Sequence, residues 1–108
     1  MALLVRTKSW RKFLPDGFEI YNELHTILGK VISFAVVLIK DNEGVREGVT
    51  RYDSCHGCVH RDVLGRKAAD AVIDKMWYPD LKLSEGFNYA DEDLSENYAE
   101  YYEYYESH

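Results

Sequence analysis

The chain has 108 residues, 46% of them hydrophobic and 30% charged, with a formal net charge of −6. That length fits one domain, and the apolar content supports a real core and excludes disorder by composition. The longest apolar run, residues 31–39, has the length of a strand and not the ~20 residues that cross a bilayer, so no membrane contact is expected.

The opening M-A-L-L-V-R-T-K lacks the charge order of a secretory signal. Two cysteines then suit a reducing, cytoplasmic setting. The first 14 residues are basic, with Arg6, Lys8, Arg11 and Lys12 around Trp10, and read as a solvated face. Pro15-Asp16-Gly17 is a turn signal, since Pro presets one backbone angle and Gly permits the reverse one. Residues 18–24 alternate apolar Phe18, Ile20 and Leu24 with polar Glu19 and Glu23, which is a strand with one wet face. Leu28-Gly29-Lys30 is the next turn. Residues 31–40, β-branched and aromatic, read as a central strand buried on both faces. Asp41-Asn42-Glu43-Gly44 joins it to a strand over 45–54, and a further strand covers 59–64.

From Arg66 to Trp77 the apolar residues Ala69, Val72, Ile73, Met76 and Trp77 recur every three or four positions. This spacing predicts an amphipathic helix with Met76 and Trp77 as core anchors, ended by Pro79. The segment 85–108 holds eight acidic residues and no Lys or Arg. Its Leu94, Tyr98, Tyr102 and Tyr105 nonetheless follow helical spacing, which predicts a docked, Tyr-rich helix over 89–105 started at Asn88. The expected fold is a single α+β domain over 1–108. It has an antiparallel β-meander of four to five strands and two C-terminal helices packed on one face.

Chemistry concentrates in R-Y-D-S-C-H-G-C-V-H-R-D, residues 51–62. With His56-Gly57 as a two-residue turn, Asp53 faces His60, Tyr52 faces Arg61 and Arg51 faces Asp62. Alternation then puts Arg51, Asp53, Cys55, Cys58, His60 and Asp62 on one face and Tyr52, Ser54, Val59 and Arg61 on the other. A zinc site would need Cys55, Cys58 and His60 with His56 or His25, but the second ligand pair of a structural site is missing, so no metal or other cofactor is expected. Histidines beside a carboxylate, an arginine and a tyrosine are the groups that metal-free RNA cleavage uses. The same residues can also form a polar ladder that only sets the register of a hairpin.

The pattern R-Y-D-x-x-H-G-x-x-H-R-D, carried here by Arg51, Tyr52, Asp53, His56, Gly57, His60, Arg61 and Asp62, resembles the signature of small, largely uncharacterised prokaryotic families. It is more loosely similar to TumE-type toxins of toxin–antitoxin pairs. The resemblance implies an α+β fold and a toxin-like, metal-independent endoribonuclease with RNA as substrate and an antitoxin-like protein as partner. His56 and His60 would then be the acid–base pair and Asp53 their orienter. Arg51 or Arg61 would contact phosphate, and Tyr52 would stack on a base. The alternative is a non-enzymatic interaction module, or a homodimer, that uses the tyrosine-rich helix.

Overall fold

A computed structural model describes residues 3–54, 57–69 and 71–108. Among them run six strands, β1 (Val5–Phe13), β2 (Phe18–Ile27), β3 (Lys30–Asn42), β4 (Val45–Asp53), β5 (Val59–Leu64) and β6 (Val72–Tyr78), and one helix, α1 (Leu83–Ser107). The strands pair in chain order as one antiparallel meander, so β1 and β6 are its edges. Glycine chemistry makes this possible at two corners. Leu28-Gly29 and Glu43-Gly44 are two-residue turns with positive φ at both positions, 51° and 77° in the first and 52° and 88° in the second. Such turns match the right-handed twist of the flanking strands.

α1 packs chiefly over β2 to β5. Beneath it lie Phe18, Ile20, Phe34, Val36, Leu38, Tyr52 and Val59, all buried. The helix contributes Ala90, Leu94 and Tyr105, flanked by Phe87, Tyr98, Tyr101 and Tyr102. Rings lock the two layers together: Phe18 lies 4.9 Å from Tyr98 and 5.3 Å from Tyr102, and Phe87 lies 5.7 Å from Trp10 and 5.8 Å from Phe34. At its first turn the Glu85 carboxylate accepts the Lys82 backbone N–H at 3.0 Å. Helix formation therefore begins earlier than the Asn88 start the sequence predicts. The Tyr-rich docked helix is otherwise where its spacing places it.

Three expectations need correction. The fold has six strands and one C-terminal helix, not four to five strands and two helices. The extra strand at the start is β1, whose charged residues hide a strand pattern because most of its side chains are exposed. The predicted helix over 66–77 is instead a 3-10 turn, Arg66–Ala68, left-handed Ala69 (φ 53°) and strand β6. A helix of that length is marginal alone. Val72, Ile73, Trp77 and Tyr78 favour strands, and the ladder to β5 decides the outcome. Met76 and Trp77 are consequently not core anchors: they are 43% and 53% exposed. Finally, β3 is buried on one face only, with Phe34, Val36 and Leu38 inward and Ala35, Val37 and Ile39 half-buried on the bare side.

At Gly86 the helix lies tight against Val59 of the sheet. A Cβ there would sit 2.5 Å from Val59 Cγ2 and 2.9 Å from its Cγ1. Val59 is wholly buried and β-branched, so it cannot swing aside. Gly86→Ala gains about 1 kcal/mol of helix propensity but overpacks a core contact at about 1–3 kcal/mol. We expect a net loss of stability, read as a lower urea midpoint with unchanged m-value. A stabilised variant would show that α1 can lift off β5 freely.

Candidate functional site

β4 and β5 pair with Arg51 opposite Asp62, Tyr52 opposite Arg61 and Asp53 opposite His60. This is the register that counting outward from His56-Gly57 predicts. The ladder stops at Asp53, however, and Gly57 N–H donates to Ser54 C=O at 3.0 Å. His56 and Cys55 lie outside the described residues. Because alternate side chains point to opposite faces, the predicted site residues do not converge. Tyr52 and Arg61 face α1, whereas Arg51, Asp53 and His60 lie on the bare face.

On the helix side, Tyr52 is 0% exposed. Its hydroxyl donates to Asp93 Oδ2 at 2.6 Å, the Tyr101 hydroxyl donates to the same oxygen at 2.5 Å, and the Asn97 amide donates to Oδ1 at 2.8 Å. Burial above all, and then donation to Asp93, push the Tyr52 hydroxyl far above the ordinary tyrosine pKa. Tyr101 is raised for the same two reasons. Tyr78 and Tyr89 enclose the Tyr52 ring at 5.8 and 6.0 Å. Arg61 lies 4.6 Å over the Tyr101 ring and donates to Thr50 Oγ1 at 3.1 Å. Tyr52 thus has neither a free ring face nor a free hydroxyl.

On the bare side, Asp62 is the centre, 2% exposed. Arg51 donates to its Oδ2 through both Nε and Nη2, and Lys75 Nζ lies 3.1 Å from its Oδ1. Burial opposes its ionisation, but the hydrogen bonds from Arg51 and Lys75 outweigh that and hold its carboxyl below the usual range. His60 Nε2 stands 3.4 Å from the same Oδ1, and its Nδ1 is 3.4 Å from Cys58 C=O. The ring is 2% exposed and lies 5.0 Å from that of Trp77. The carboxylate that meets His60 is therefore Asp62, not its cross-strand neighbour Asp53.

Three residues of these clusters escaped the sequence reading. Lys75 and Trp77 stand opposite Asp62 and His60 in the β5–β6 ladder, but only a strand places them there. Asp93 shares one helix stripe with Asn97 and Tyr101, at four-residue spacing, and that signal was available. Among the described residues no cluster of three or more His, Cys, Asp or Glu could hold a metal ion, and no helix is long and apolar enough to cross a membrane.

These pKa shifts set the pH limits of the fold. Asp62 is depressed, so its contribution is complete above the unfolded carboxylate value of about 3.9 and lost as pH falls below it. Tyr52 is raised, so its contribution is complete below the unfolded tyrosine value of about 10 and lost as pH rises past it. We expect the melting temperature to fall on both sides of that range. Tyr52→Phe should cost about 1–2 kcal/mol at neutral pH, since Asp93 keeps two donors. It should also move the alkaline limb to higher pH in a thermal melt series; an unmoved limb would refute the assignment.

No curated protein and no solved structure matches the chain. A family described as a domain of unknown function, DUF7718, matches residues 5–108. The match agrees with the expectation of an uncharacterised family and says nothing of TumE-type toxins. Covering nearly the whole chain, it shows that the protein belongs to the DUF7718 family.

Proposed function

We propose that this chain is a protein-interaction domain whose contact surface is strand β6, and not an enzyme. The observation that carries this reading is a contrast in exposure. Tyr52, His60 and Asp62 are 0%, 2% and 2% exposed, while Val72, Ile73, Met76 and Trp77 on one short strand are all more than two-fifths exposed. Exposed apolar groups that gather on one element mark a contact site.

A ribonuclease centre needs proton-transfer groups that reach a 2′-hydroxyl and a cation that reaches a phosphate. His60 lies beside Trp77 against Asp62, Arg51 is neutralised by Asp62, and Tyr52 is closed in by three other tyrosines and Asp93. The eight acidic residues of α1, with no base among them, repel a phosphate backbone. Most tyrosines of the helix, Tyr98, Tyr101, Tyr102 and Tyr105, turn into the core. The helix therefore offers only Tyr89 and Tyr104 at its flanks, and β6 carries the larger exposed apolar group. The cytoplasmic location expected from the cysteine usage remains part of this proposal.

The test is purified protein incubated with labelled RNA in EDTA, beside His60→Ala and His56→Ala variants. Intact RNA throughout is the expected result. Cleavage by the native chain that either substitution abolishes would overturn the reading in favour of the toxin-like endoribonuclease.

A further inference from the structure

We propose that the occupant of β6 is a second copy of this chain, paired antiparallel with it across a two-fold axis, so that two six-stranded sheets join into one. The proposal rests on the interaction-domain reading and specifies the partner.

The two edges of the sheet differ in kind. An edge strand offers a row of unpaired backbone N–H and C=O groups, and natural sheets blunt it with charge. β1 follows that rule, with Arg6, Lys8, Arg11 and Lys12 in nine residues. β6 does not. Its residues from Val72 to Trp77 are all exposed, and the large apolar ones are 42% (Val72), 41% (Ile73), 43% (Met76) and 53% (Trp77) exposed. Its only charges are Asp74 and Lys75, and Lys75 already serves Asp62.

Charge selects the occupant and its register. β6 carries one acid and one base, so two copies meet there without net repulsion although each chain is at −6. Two β1 edges would instead bring four cations against four. A two-fold axis perpendicular to the sheet keeps like faces together, so the pairing must centre on a single residue. Centring on Asp74 or on Lys75 opposes identical charges, which is unfavourable. Centring on Met76 sets Met76 against its own copy. It also sets Lys75 against the second copy's Trp77, a cation–π pair, while Tyr78 stays packed on Tyr52 and Tyr89 of its own chain. Lys75 already lies 5.8 Å from the Trp77 ring of its own chain, so the same preference is met across the interface.

A strand pair alone falls short of the ~800 Å² per partner of a standard interface. The surface beside β6 supplies the rest. On the helix side a cleft of about 360 Å³ opens between β6 and α1, lined by Val63, Met76, Tyr101 and Tyr104 together with the charged Arg61, Asp74 and Glu100. The second copy's Met76 falls on that side, because it opposes Met76 on the same face.

Sedimentation equilibrium of the full chain tests the proposal. A dimer is expected, and Met76→Lys, which sets two lysines face to face, should weaken it at least tenfold. The site is exposed, so this variant should keep the native circular dichroism and melting profile. In a chain with Cys55→Ser and Cys58→Ala, Met76→Cys should form a disulfide-linked dimer under mild oxidation, whereas Ser9→Cys at the centre of β1 should not. A native chain that stays monomeric at high-micromolar concentration overturns the dimer, as does a dimer that Met76→Lys leaves intact. A monomer that leaves RNA intact removes only the second copy as partner. His60-dependent RNA cleavage removes the wider reading.

Discussion

Six strands spaced about 4.8 Å apart span roughly 24 Å, about twice the ~10–12 Å that one helix and its side chains cover. That mismatch sorts the residues of this molecule. Beneath α1, the inward side chains of β2 to β5 are mostly large and apolar, from Phe18 and Ile20 to Val36, Leu38 and Val59, with Asn22 and Thr50 buried among them. At the margins of the sheet, β1 and β6 touch α1 at few points, Trp10 with Phe87, Lys12 with Ser95 and Tyr78 with Tyr89, and otherwise must meet water or find another cover. β1 does the first with four cations. β6 keeps its apolar side chains and is left with the second.

The bare face of the sheet is made compatible with water by ion pairs. Glu19, 4% exposed, is bracketed by Arg11 and Arg46; Glu23 meets His25; Asp62 takes Arg51 and Lys75. The covered face is not wholly apolar either. Asp93 carries a carboxylate into the helix–sheet contact and is tolerated there because Tyr52, Tyr101 and Asn97 supply three donors. Removing the Tyr52 hydroxyl loosens the helix from the sheet without leaving the carboxylate bare, because Tyr101 and Asn97 donate from α1 itself. Further along α1, Arg66 grips Glu47 with two bonds of 2.9 and 3.0 Å, and Tyr102 adds a third contact. Arg66 first of all holds the Glu47 carboxyl below its usual range.

Legibility in the sequence followed the same division. β2 and the docked helix were readable because their apolar periods report the one face that each buries. β3 was readable as a strand from its β-branched and aromatic run, which hid that only one face is buried. The hairpin register was readable because Arg51–Asp62 and its neighbours leave one self-consistent alignment. β6 was not. Its apolar residues come in pairs, 72–73 and 76–77, which imitate helical spacing, and no face of a bare edge strand is buried enough to impose alternation. β1 hid for the opposite reason, being nearly uniform in polarity. The candidate site inherited both errors. Without β6 as a strand, Lys75 and Trp77 had no place beside Asp62 and His60, and the hairpin looked free to act on a substrate.

Placing β6 correctly changes what the R-Y-D…H-R-D run is for. β5 is the last strand under the helix, and β6 projects past it. Such a flange needs more than its ladder hydrogen bonds to stay in plane. The motif supplies the extra hold: Tyr52 anchors β4 to α1 through Asp93, Arg51 ties β4 to β5 through Asp62, and Asp62 and His60 reach Lys75 and Trp77 on β6. Residue types familiar from acid–base chemistry then serve as a bracket that runs from helix to edge. In that role the burial of Asp62, His60 and Tyr52 strengthens the hold. Arg51 and Lys75 keep their outer faces in water, and each such pair contributes at most about 1 kcal/mol. The exposed apolar strand at the end of the bracket is the part of the molecule left available for contact.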